Sequence, residues 1–119
     1  MREVIVASGP NPNAPRPEPE HIHFHRTELT QILSVYGRGV AAGHWRDYAI
    51  DALKDVAVFS IFLRASQMPV FRIEKRPKLA RRQGAYAVIS ASGQVLRRGQ
   101  DLAQVLRVFD RKWLRVVGE

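Results

Sequence analysis

Three groups of residues in this 119-residue chain have the types and spacing to do chemistry. The first is a run of cations, Arg72, Lys75, Arg76, Lys78, Arg81, Arg82, Arg97 and Arg98, six of the eight being arginine. The planar guanidinium fork binds phosphate or carboxylate in a bidentate way that lysine cannot match. Residues 67–98 hold all eight cations and one acid, so they account for +7 of the formal net charge of +8. The excess is therefore local, and local positive charge attracts phosphate, an acidic protein surface or anionic lipid. With Phe71 and Tyr86 close by in the chain, the pattern is that of a single-strand nucleic-acid binder, in which phosphate attraction is joined to base stacking. The alternatives are an acidic protein partner docked on the same residues, or a solvated basic surface.

The second group is His21, His23 and His25, which alternate and so would point the same way on an extended segment. Three histidines can hold a zinc ion. These lie within five residues of one another beside a proline-rich stretch, and alternating imidazoles on an open strand splay too far apart for one tight ion. No metal site is expected. The third group is His44, Asp47 and Asp51. On a strand the two aspartates share a face but stand ~13 Å apart, too far to share a proton. There is no serine nucleophile elbow, phosphate loop or dinucleotide glycine fingerprint. No catalytic residue and no cofactor are expected, and an enzyme is the least favoured reading.

Elements must position these groups. Residues 7–20 contain five prolines, which forbid helix and deprive a sheet of donors, so residues 1–20 are expected to be a disordered or polyproline-like tail. A single α+β domain is expected over residues 21–119. Thr27 reads as a helix N-cap with Glu28 in the first turn, and Leu29, Ile32, Leu33, Tyr36 and Val40 form an apolar stripe. Gly37 and Gly39 weaken this helix and Gly43 is its expected stop. The period then changes to two. Strands are expected over 48–53, 56–64, 70–75, 85–91 and 94–98, with Ser92-Gly93 as a tight hairpin turn. The basic loop 76–84 is expected to be a flexible rim of charge, and Arg72 and Arg97 can share a sheet face where their strands lie close. Asp101 caps a second helix that presents Leu102, Val105, Leu106 and Phe109. Residues 113–117 form a last turn or extended tail. Short sequential connections favour antiparallel pairing, which gives a curved sheet of about five strands with both helices on one face.

Two further expectations concern partners and setting. Phe59 and Phe62 must face opposite sides of their strand, so one aromatic ring meets the face without helices, and a homodimer would cover it. The longest apolar run, Val56 to Leu63, is far shorter than the roughly 20 residues of a membrane span. The chain has no cysteine, which removes disulfides and thiolate chemistry and suits a reducing cytoplasm.

Several strings resemble a known family. They are Phe24-His25-Arg26-Thr27-Glu28-Leu29, Tyr36-Gly37-Arg38, Gly43-His44-Trp45-Arg46-Asp47-Tyr48-Ala49-Ile50-Asp51, Phe71-Arg72-Ile73-Glu74-Lys75, Pro77-Lys78-Leu79-Ala80-Arg81-Arg82-Gln83-Gly84-Ala85-Tyr86 and Asp101 through Asp110. The pattern is similar to an uncharacterised alphaproteobacterial family, domain-of-unknown-function family twenty-seven ninety-four, over about residues 24–117. The family pattern has Glu where this chain has His44, which argues against an essential acid or ligand there. The resemblance implies a bacterial cytoplasmic protein and supplies no activity. The reading at this point is a small nucleic-acid-binding (DNA or RNA) or nucleoprotein-associated regulatory factor, using Arg72, Lys75, Arg76, Lys78, Arg81, Arg82, Tyr86, Arg97 and Arg98. The rival is an adaptor that docks an acidic protein through the same residues.

Overall fold

The structure is a computed structural model that describes residues 20–63 and 68–110. Residues 1–19 of the expected N-terminal tail, residue 64 of the second expected strand and the expected tail at 113–117 lie outside those residues. The described chain runs α1 (Arg26–Ala41), β1 (Asp47–Ala52), β2 (Ala57–Phe62), β3 (Phe71–Lys75), a single 3-10 turn (Pro77–Leu79), β4 (Tyr86–Ser90), β5 (Val95–Gly99) and α2 (Leu102–Leu106). The strands pair in chain order, β1-β2-β3-β4-β5, all antiparallel. This is the expected α+β meander. Each connection is short enough that the next strand pairs with the last one.

Strand alternation sorts the side chains into two faces. Phe59, Ile73 and Val88 stand opposite one another across β2, β3 and β4 and are fully buried. Ile32 and Val35 of α1, Leu102, Val105 and Leu106 of α2, and Phe109 pack on that face, so one core joins both helices to one side of the sheet. Trp45 is buried between Phe71 and Phe109, with ring centroids 6.1 and 5.0 Å away. The opposite face carries Val58, Ser60 and Phe62 of β2, Arg72 and Glu74 of β3, and Ala87 and Ile89 of β4. Phe59 is on the helix side with no exposure, and Phe62 is half-buried on the other.

α1 is rotated from the expected stripe. Its buried residues are Glu28, Ile32, Val35 and Gly39, while Leu33 and Val40 are 38% and 42% exposed. The reason is Gly39. A Cβ there would lie 2.2 Å from the Trp45 ring, so the missing side chain is what admits the indole. The glycine that reads as a weak point is the contact on which the helix is seated. The helix start also differs, with His25 rather than Thr27 as N-cap. The helix stops as expected, with Gly43 at a φ of 82°. Asp101 caps α2 by accepting from the N–H groups of Ala103 (3.0 Å) and Gln104 (3.4 Å). α2 ends at Leu106, and after the turn at 107–108 the helical residues 109–110 bring Phe109 into the core, so the expected face is buried.

Candidate nucleic-acid interface

The basic residues separate into three environments. In the first, Lys75 and Tyr86 turn inward. They sit opposite each other in the β3–β4 ladder, on the helix side of the sheet. Lys75 Nζ donates to Glu28 Oε1 at 2.9 Å and to the His23 carbonyl at 2.8 Å. The Tyr86 hydroxyl donates to Glu28 Oε2. Glu28 also accepts the His25 backbone N–H at 2.6 Å, the bond that starts α1 two residues before a Thr27 cap would. Burial works to raise the Glu28 carboxyl. The hydrogen bonds from Tyr86, Lys75 and the His25 amide, with the charge of Lys75, outweigh it and hold the group below its ordinary range. Tyr86 is pushed up to about 12 by burial and by its bond to the Glu28 carboxylate. These groups therefore fasten α1 to the sheet.

In the second environment, cations are answered locally. Glu74 is buried and takes Arg72 Nε at 3.6 Å and Arg76 Nε at 3.1 Å. Lys78 reaches Asp55 of the β1–β2 turn at 3.0 Å and holds that carboxyl below its ordinary range. Both of those groups are exposed, so the pair is dynamic and weak. Arg97 Nη1 donates to the Gln104 carbonyl at 2.9 Å.

The sharing of a face by Arg72 and Arg97 does not occur. Val88 stands opposite both Ile73 and Arg97, which puts Arg97 on the helix side and Arg72 on the other. Arg98, opposite Ala87, is the β5 arginine on the Arg72 side. A register shift between Val88 and Ile89 leaves Leu96 as the extra residue of β5. Beyond the shift Val95, not Leu96, stands opposite Ile89.

The third environment is the turn from Arg76 to Gly84, which is ordered rather than a flexible rim. The Leu79 carbonyl accepts the N–H groups of Arg82 (3.1 Å), Gln83 (3.0 Å) and Gly84 (2.8 Å), and Leu79 donates back to Arg76 at 3.0 Å. Gly84 has φ 103°, and a Cβ on it would meet the Gly99 backbone at 2.3 Å, so the turn lies flat against the end of β5. Arg98 Nη1 donates to the Gly84 carbonyl at 3.4 Å. Arg81 and Arg82 are exposed at consecutive positions of this turn. Among the described residues no carboxylate is within ion-pair distance of Arg81, Arg82 or Arg98. The charge therefore gathers at one end of the sheet, on Arg76, Lys78, Arg81, Arg82 and Arg98.

The other two groups stay apart. His21, His23 and His25 are exposed, and no three metal-ligating side chains converge among the described residues. Asp47 and Asp51 are exposed on the edge strand β1, and Asp47 Oδ1 accepts the Tyr48 N–H at 2.9 Å. Sequence reasoning missed the two acids that organise the cations. Glu28 had a signal: it lies four residues before Ile32, seven before Val35 and eleven before Gly39, on the buried stripe. Glu74 had one too, as the single acid of residues 67–98.

The sheet order and the one-sided helices define an α+β protein built on a single antiparallel meander. The chain belongs to the family described as protein of unknown function (DUF2794), whose model matches residues 22–106. Comparison with curated proteins and with solved structures gives no match. Among the described residues no helix is long and apolar enough to cross a membrane.

Proposed function

We propose that this chain is a small nucleic-acid-binding or nucleoprotein-associated factor that captures phosphate with the arginine-bearing turn at the end of its sheet. The observation that carries the reading is the pair Arg81 and Arg82, exposed side by side on an ordered turn and, among the described residues, without a carboxylate to answer them. The backbone of the turn is already hydrogen-bonded, so it loses little freedom when a phosphate binds. Arg76, Lys78 and Arg98 supply neighbouring charge, and Lys78 gives up only a weak surface pair with Asp55. Lys75 and Tyr86 serve the surface indirectly, because they anchor the strands from which the turn leaves.

Such binding is electrostatic and has little base preference. Three to five phosphate contacts give a slope of log K against log salt of roughly −3 to −4.5. Fluorescence anisotropy with a mixed-sequence oligonucleotide tests the proposal. Binding at low salt that weakens along that slope is expected, as is its loss in Arg81→Glu/Arg82→Glu with an unchanged circular dichroism spectrum. No binding at low salt, or binding that the double variant keeps, contradicts it. A protein partner that remains bound after nuclease treatment and is lost in the same variant would favour the adaptor reading instead.

A further inference from the structure

We propose that the nucleic acid this surface takes is a duplex rather than a single strand; the inference rests on the function proposed above. Single-strand binders add base stacking on exposed aromatic rings to phosphate attraction, and a stacked base adds on the order of tenfold to affinity. Among the described residues the rings are elsewhere. Tyr36, Trp45, Tyr48, Phe59, Phe71 and Phe109 form one connected set on the helix side, with centroids 4.9 to 6.2 Å apart. Phe24 is buried in the same core. Tyr86 is the ring nearest the turn in the chain, but it is half-buried and its hydroxyl is bound to Glu28.

Phe62 is the aromatic residue of the described strands on the helix-free face. Ala57 pairs with Lys75 beside the basic turn, and Phe62 is at the far end of the same strand. Five residues of strand separate the two ends, ~17 Å. A groove of about 610 Å³ able to hold a splayed base also lies at the far end, between His44, Trp45, Leu63, Phe71 and Ser92. The arginines therefore have no stacking platform beside them among the described residues.

What remains is an ordered turn that carries exposed cations. A duplex presents its phosphates outward on two strands at high linear density, about one per 1.7 Å of axis, and hides its bases. Its counterion release per contact also exceeds that of a single strand, with slopes of about −0.9 against −0.7 for each phosphate. A surface that reads phosphate alone gains more from the duplex.

The test titrates the full chain into a labelled short duplex and, separately, into one of its strands, across a salt series. The duplex is expected to bind at least about fivefold tighter at low salt, with the steeper salt slope. Equal or tighter binding of the single strand overturns the duplex inference and leaves phosphate capture standing. Absence of binding to either overturns both. Arg81→Glu/Arg82→Glu, folded by circular dichroism, is expected to lower duplex affinity at least about tenfold. Unchanged duplex affinity in that variant places the contact elsewhere and also overturns the inference.

Discussion

Glu28 decides how α1 meets the sheet, and its chemistry sets the pH range in which that junction holds. The carboxylate and Lys75 are both largely buried, with side-chain exposures of 8% and 10%. Desolvation consumes most of the Coulomb gain of such a pair, so replacing both partners with apolar groups costs little, whereas removing one strands the other. Glu28→Leu alone and Lys75→Met alone are each expected to cost about 3–5 kcal/mol in urea unfolding, and the double variant clearly less than their sum. The Glu28 carboxyl is held below its ordinary value of 4.5, so the stability it contributes is complete above that value and is lost as pH falls through its folded pKa. Tyr86 is displaced the other way, from 10.0 to about 12, so its contribution is complete below pH 10 and disappears between those two values. Unfolding midpoints measured against pH should fall on both flanks. In the Glu28→Leu/Lys75→Met variant the acid flank should be shallower.

At the scale of elements, the two glycines inside α1 make opposite predictions. Gly37 is exposed, and a Cβ added there meets nothing within 4 Å. Gly37→Ala should therefore stabilise by about 0.4–1 kcal/mol, through a less flexible unfolded chain and better helix propensity. At Gly39 the same methyl group would overlap the Trp45 ring, which is itself packed against Phe71 and Phe109 and cannot retreat. Gly39→Ala should cost about 1–3 kcal/mol or more despite its better propensity. Thermal unfolding of the two variants separates the effects by sign.

The same helix shows which features of the fold are legible in the sequence. Strand alternation, the Ser92-Gly93 hairpin, the Asp101 cap and the Gly43 stop are local, and each is expressed in a few adjacent residues. The helix face is not local, because it depends on a tryptophan that arrives six residues after the glycine it covers. Among the basic residues, the side taken by Arg97 depends on how β3, β4 and β5 pair, with a register shift between Val88 and Ile89, and no single residue announces that pairing. Sequence places the charge between 72 and 98. It does not show that Lys75 and Tyr86 turn inward, that Glu74 answers Arg72 and Arg76, or that Arg81, Arg82 and Arg98 gather at one end.

For the whole molecule, the proposed phosphate capture rests either on net charge or on the shape that presents it. A chain of net charge +8 would attract polyanions even with its arginines scattered. The ordered turn makes a different claim, which can be tested without altering any charge. Gly84 occupies a left-handed conformation and is pressed against the Gly99 backbone, so no side chain fits there. Gly84→Ala strains the backbone by about 1–3 kcal/mol and must lift the turn from β5, away from Arg98. Every cation is retained. If diffuse charge were the agent, duplex affinity and its salt slope would match those of the parent protein. Capture by a fixed turn instead predicts a loss of several-fold in affinity and a shallower slope, because fewer phosphates are engaged at once. The comparison is made at a temperature where circular dichroism shows the variant folded, and Gly37→Ala serves as the charge-neutral control whose affinity should not change.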